Sequence, residues 1–148
     1  MDYLVDTNVL LRLADPYSDL FPVAQRAVKY LHAAEHTLWV STQNCIEFWN
    51  VATRPIEKNG FGLPPAAAND LLLVMERMFP LLPEYSFFMT WRDLVTSLSV
   101  SGVQVHDASL VARMLSHGIS HILTFDSTDF QRYSVRGVVA IDPKNVPV

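Results

Sequence analysis

The sequence predicts an α/β fold, a central and mostly parallel sheet covered by helices on both faces. Three observations predict it. Short apolar runs alternate along the chain with longer stretches of helical periodicity. Two of those runs, Tyr3-Leu4-Val5 and His121-Ile122-Leu123-Thr124-Phe125, end directly in an aspartate, Asp6 and Asp126. The 148 residues, half of them hydrophobic, suffice for one domain with a buried core, and they show no internal repeat.

Residues 3–5 read as a short buried strand. A helix follows Asn8 and fades at Asp15-Pro16, and Pro22 opens a second helix through about Glu35, with Val23, Ala27, Val28 and Leu31 near helical spacing. Thr37 to Val40 reads as a strand, and Ser41 or Thr42 can cap a helix running to about Arg54. Residues 54–65 hold three prolines and two glycines and are expected to form an exposed, mobile loop. Pro64-Pro65 opens a helix through Met78, and Pro80 and Pro83 bracket an extended piece. Thr90 to Val100 reads as helix ending at Gly102, and 103–105 as a brief extended piece. Ala108 to His117 is helical with Gly118 as its stop. His121 to Phe125 and Val138 to Ile141 are the last two strands.

Charged residues are 18% of the chain, below the usual ~25%, which leaves apolar surface for a partner. No apolar run approaches the ~20 residues of a membrane-spanning helix, and no signal peptide is visible, so no membrane association is expected. The single cysteine, Cys45, excludes an internal disulfide framework and fits a reducing cytoplasm. The net charge of −4 argues mildly against a dedicated nucleic-acid binder, yet removing four acids from 15 would leave 11 against 11 Lys and Arg. The acidity can belong largely to one site.

Ligands of open α/β sheets bind beyond the carboxyl ends of the strands. Asp6 and Asp126 stand there, and parallel strands would bring both to one edge. Glu47, about a turn into its helix, and Asp107, at the head of another, are placed to join them, with Asp129 as a fifth acid. Convergent carboxylates repel one another unless protonated or neutralised by a cation. With no accompanying His and Cys array, oxygen-only ligation points to Mg²⁺ or Mn²⁺ rather than zinc. No Gly-rich phosphate loop or Ser-His-Asp arrangement competes.

At these residues the chain resembles the PIN-domain ribonucleases, and within them the VapC-like toxins of bacterial toxin–antitoxin pairs. The matching segments are VDTNVLLRL at 5–13, QNCIEFWNVATRP at 43–55, VHDASLVARMLSHGISHILTFDSTDF at 105–130 and the closing strand. The resemblance implies a PIN-like three-layer fold over residues 1–148. It implies catalytic and metal-holding roles for Asp6, Glu47, Asp107 and Asp126, supported by Thr7, Asn8 and Thr124. It further implies metal-dependent RNA cleavage and an antitoxin that inserts near the site.

Each residue also has a plainer role. Asp6 fits a turn; Asn8 and Asp107 fit helix N-caps. Thr7 can satisfy backbone groups in its own turn, Thr124 can be a core hydroxyl, and Asp129 a loop acid. Glu47 can be a solvated helix acid, although its neighbours Ile46, Phe48 and Trp49 make a dry setting. His106 is expected to pack or cap. Trp39, Trp49 and Trp91 read mainly as core, with Trp49 able to line a groove. Arg12, Arg54, Arg113 and Lys58 can meet RNA phosphates or simply be solvated. The Met- and Leu-rich 65–79 helix is expected to divide between core and a contact to an antitoxin or a second copy of the chain. The rival readings are an inactive PIN-like binding module and a haloacid-dehalogenase-like phosphatase. The latter typically needs a second Asp where Asn8 stands.

Overall fold

In the computed structural model, which describes residues 1–147, four strands form one parallel sheet. They are β1 (Asp2–Val5), β2 (Thr37–Trp39), β3 (His121–Leu123) and β4 (Val139–Ile141), in the order β2-β1-β3-β4. Six α-helices accompany them: α1 (Thr7–Leu13), α2 (Phe21–Ala33), α3 (Thr42–Thr53), α4 (Pro65–Met78), α5 (Phe88–Ser97) and α6 (Val105–Ser116). Successive strand residues point to opposite faces, and this alternation divides the interior in two. Tyr3, Val5, Leu38, Val40 and Leu123 face α1 to α4, while Leu4 and Ile122 face α5 and α6. The expected three-layer α/β arrangement follows. Among the described residues no helix is long and apolar enough to cross a membrane.

The strand order places a topological switch between β1 and β3. The chain leaves β1 toward β2 on one side, then returns through four helices to β3 on the other. β1 and β3 pair Leu4 with Ile122 and Val5 with Leu123, and the Asp6 amide continues the ladder to the Leu123 carbonyl at 2.9 Å. Residue 6 and residues 124–126 therefore emerge together, where side chains must serve as the first coverings of the sheet end.

Several expectations need correction. Residues 103–105 form no extended piece. Gly102–Gln104 make a 3₁₀ turn that feeds straight into α6, so Asp107 is the third residue of that helix rather than its head. Val103 and Val105 carry strand propensity, but no neighbouring strand offers them a ladder. The α5 helix starts at Phe88, two residues early, and residues 127–136 wind into 3₁₀ turns where no element was expected.

The Pro- and Gly-rich segment is tied down. Amides of Phe61, Gly62 and Leu63 donate to carbonyls of Val51, Arg54 and Ala52 at 2.8–2.9 Å, and the Arg54 guanidinium donates to the Asn59 carbonyl. Phe61 and Leu63 pack on the core beside α3 and α4.

The 80–83 piece is extended as expected and runs along the outer side of β2. Val40 donates to the Pro80 carbonyl at 3.0 Å and accepts from Leu82 at 2.8 Å, forming a parallel bridge with Leu81. Glu84 then joins Thr42 and Arg113, the latter at 3.1 Å, and these contacts hold the Glu84 carboxyl below its usual range. Arg113 is thus paired with a carboxylate, while Arg54 is held by a neutral carbonyl.

Gly60 shows how tightly the 54–65 segment closes. A Cβ there would fall 1.9 Å from the Arg54 carbonyl oxygen, whereas at Gly118, where φ is +69°, a Cβ would meet nothing within 4 Å. Gly60→Ala should therefore destabilise the protein by about 1–3 kcal/mol through overpacking. Gly118→Ala should cost only about 1 kcal/mol, for its left-handed backbone. Thermal melts of both variants check the order.

Candidate active site

Asp6 closes β1 and opens α1 at once. Its Oδ1 accepts the Thr7 amide at 2.7 Å, making it the helix N-cap, and its Oδ2 accepts the Thr124 hydroxyl at 2.8 Å. The acid at the end of β1 is thus the cap of α1. Asn8 is not the cap. It lies inside α1, and its Nδ2 reaches Asp6 Oδ2 (3.3 Å), Thr124 Oγ1 (3.1 Å) and Asp126 Oδ2 (3.1 Å), while its Oδ1 accepts the Phe125 amide. Asn8 therefore clamps the end of β1 to the end of β3. The Thr124 hydroxyl donates to Asp6 and accepts from Asn8 and the Asp126 amide, which exhausts its one proton and two lone pairs.

A second chain of contacts begins in α3. Asn44, fully buried, forms a capping box with Ser41 and donates from Nδ2 to the Thr7 hydroxyl at 3.1 Å. Thr7 in turn donates to Glu47 Oε1 at 3.2 Å. The Thr7 hydroxyl thus serves Glu47 and not the backbone of its own turn. Gln43 Nε2 donates to the His106 carbonyl at 2.9 Å and lies 3.5 Å from Glu47 Oε1, so α3 also fixes the start of α6. Glu47 is half-buried; Phe48 beside it is buried, but Ile46 is 71% exposed, so its setting is less dry than expected. Asn44 and Gln43 were not singled out from the sequence, although Ser41 and Asn44 stand at capping-box spacing.

Asp107 caps nothing; Gln104 occupies the N-cap position of α6. Its carboxylate sits in the first turn, where the helix dipole favours negative charge. Asp126 and Asp129 are exposed at the start of the 127–136 turns. His106 neither packs nor caps. Its side chain is exposed and lines a cavity with α5 residues. Trp91 donates to the Val105 carbonyl, Trp39 donates to Asp2, and Trp49 is half-buried in a groove with Cys45, Ile46 and Leu72.

The electrostatics join all five acids. Burial, foremost, and the nearby Asp107 and Glu47 push Asp6 up to about 7, against the lowering effect of the Thr124 and Thr7 hydrogen bonds. Burial, then Asp129, Glu47 and Asp126, raise Asp107 to about 6, with His106 opposing. Burial and Asp107 also raise the Tyr133 phenol, whose buried hydroxyl has no hydrogen-bond partner among the described residues. The ion pairs among the described residues, Arg113–Glu84 and Arg136–Asp93, leave all five acids without a cationic partner. Yet no group of three His, Cys, Asp or Glu side chains among the described residues stands close enough to ligate one ion. The acids feel one another through space without touching a common point.

Residues 3–135 match the family model of the PIN domain. The chain belongs to the PIN-domain family. This PIN domain also shares its fold with solved structures of low sequence identity. VapBC2 from Rickettsia felis, bound to a promoter DNA fragment, aligns with a TM-score of 0.72 at 13% identity, covering 96% of this chain and 98% of that one. FitAB bound to the IR36 DNA fragment gives 0.68 at 18%, covering 100% and 99%. VapBC-1 from nontypeable Haemophilus influenzae gives 0.66 at 16%, covering 98% and 100%. No curated protein sequence matches the PIN domain described here.

Two outcomes follow from these contacts. Asp6 and Asp107 ionise at higher pH folded than unfolded, so without a cation their penalty to folding grows as pH rises from about 4 through about 7 and is constant above. In EDTA the protein should melt lower at pH 7.5 than at pH 5, with Asp6 alone contributing on the order of 2 kcal/mol. Asp6→Asn should flatten that dependence. Thr124→Val should cost about 1–3 kcal/mol by stranding the Asp126 amide and leaving Asp6 Oδ2 only the longer contact from Asn8, measurable by denaturant titration.

Proposed function

We propose that this PIN domain is a metal-dependent endoribonuclease that hydrolyses RNA phosphodiester bonds, and that it is the toxin of a toxin–antitoxin pair. The observation that carries this reading is the set of five electrostatically coupled carboxylates without a cationic partner at the switch point of the sheet. Buried acids raised this far toward neutrality favour a cation, and an all-oxygen donor set suits Mg²⁺ or Mn²⁺. Such ions need only one or two carboxylates and keep several waters, which agrees with acids that are coupled but not gathered at one point. Among Asp6, Glu47, Asp107 and Asp126, one or two would ligate the ion directly and the others would act through its waters. When bound, it supplies an activated water and neutralises charge developing on the phosphodiester.

The chain's own residues supply position. Thr124 and Asn8 fix Asp6 against Asp126, and Asn44 fixes Glu47 through the Thr7 hydroxyl. Asp129, coupled to Asp107, adds negative charge at the open end. An inactive binding module would have no use for so many unpaired acids. Asp6→Asn and Asp107→Asn should each abolish cleavage of single-stranded RNA while the fold is retained, read by gel assay alongside circular dichroism. Cleavage should appear with Mg²⁺ or Mn²⁺, vanish in EDTA and need no zinc. Undiminished cleavage in both variants would overturn the site.

The antitoxin reading rests on an apolar groove of about 290 Å³ between α3 and α4, lined by Cys45, Ile46, Trp49 and Leu72. Leu73 and Val74 are also exposed on α4. An amphipathic helix fits such a groove, and a basic side chain extending from it would meet Asp6 and Asp107. A second copy of the chain is the other expected partner for the exposed α4 residues. Coexpression with a peptide encoded next to the gene should yield a stable complex that suppresses cleavage. A complex that leaves cleavage intact would exclude the antitoxin, and sedimentation of the chain alone tests the dimer.

A further inference from the structure

Beside the acids lies a cavity of about 300 Å³ that none of the roles above uses. Phe88 and Trp91 from α5 and Phe87, the residue before that helix, line it with Val105, His106 and Ser109 from α6. Phe88 is 56% exposed, and its ring lies 5.8 Å from that of Trp91 at an interplanar angle of 31°. The Phe87 ring on the inner side is fixed by Arg113, whose guanidinium carbon stands 4.1 Å from its centroid, and Trp91 is fixed by its hydrogen bond to the Val105 carbonyl. The cavity is thus built on anchored rings with one free aromatic, Phe88, at its mouth.

Resting on the ribonuclease reading, we propose that this cavity is a base-stacking subsite that holds an unpaired nucleobase of single-stranded RNA next to the scissile phosphate. Aromatic rings stack on any base, and the His106 imidazole and Ser109 hydroxyl offer hydrogen bonds to a base edge. No Lys or Arg lines the cavity, so its chemistry suits the base and not the phosphate. Position fixes the rest. His106 is the residue before Asp107, and its carbonyl is held by Gln43, which lies against Glu47. A nucleotide with its phosphate at the acids therefore reaches the cavity across one residue of α6. A cation stands at the start of α6: Arg132 is exposed and donates to the Gln104 side-chain oxygen at 2.9 Å, a neutral partner that leaves its charge for the RNA backbone. Aromatic slot, acid cluster and guanidinium all meet at the first turn of α6.

Phe88→Ala tests the subsite, because Phe88 is exposed and its removal disturbs no hydrogen bond. The substrates are a single-stranded RNA oligonucleotide and the same oligonucleotide with an abasic site next to the cleaved bond, assayed with Mg²⁺ or Mn²⁺. Phe88→Ala should raise KM about tenfold, the abasic site should cost wild type a similar factor, and the two losses should not add. Trp91 fluorescence should be quenched by the intact oligonucleotide and not by the abasic one. Wild type that cleaves both oligonucleotides equally well overturns the subsite and leaves the ribonuclease reading standing. Wild type that cleaves no RNA overturns both. If sedimentation shows Phe88→Ala turning a dimer into monomers, this face is a self-association surface and the subsite is overturned.

Discussion

One hydrogen bond organises this protein, that from the Thr124 hydroxyl to Asp6. A carboxylate only 8% exposed must find donors or remain protonated. Its donors come from the first amide of α1, from Asn8 and from the neighbouring strand. For all three to arrive, β3 must lie in its observed register against β1, and only Asp6 may separate the end of β1 from the start of α1. A shift of β3 by one residue would turn Thr124 to the opposite face. Fold and candidate site are therefore specified by the same contacts.

The acids grade outward from this point. Asp6 is buried, Glu47 and Asp107 are half-buried, and Asp126 and Asp129 are exposed. Asp6 and Glu47 are held by neutral donors that leave the charge in place, and among the described residues no basic side chain is paired with any of the five acids. Such an arrangement sacrifices folding stability at neutral pH for a strong local field. The groups that hold it, Asn44 and Thr124 above all, are fully buried and rigidly bonded. That rigidity keeps mutually repelling groups from relaxing apart.

Much of this was legible in the sequence wherever a short apolar run stopped at a polar residue. Asp6, Thr124 and Asp126 could be placed because a strand end fixes the direction of the next side chains, and helix starts at Pro65 and near Pro22 could be placed because proline favours the first turn. The helical position of Asp107 was misplaced because Val103 and Val105 look extended when the absence of a partner strand is unknown. Asn8 was ambiguous because an N-cap and the cross-strand clamp it forms would use the same side-chain amide, and only tertiary structure brings residue 125 to it. Asn44 was missed since its partner, Thr7, lies far away in sequence. The 54–65 segment misled for another reason: its composition speaks of turns, while its order comes from backbone hydrogen bonds that any residue can make. The 127–136 segment is mostly polar, with Phe130 and Tyr133 its buried residues, so no apolar run announced it.

The strap at 80–82 has a consequence for how the molecule behaves in a crowded solution. A parallel sheet exposes two rims of unpaired amides and carbonyls, each a template for another chain. Pairing Val40 with the strap occupies the rim beside β2, and the prolines at 80 and 83 make the strap itself a poor template. The remaining rim, along β4, is three residues long and runs at once into Asp142-Pro143. Neither rim gives an incoming strand room to register, so what this chain recruits must come to its side chains and not to its backbone.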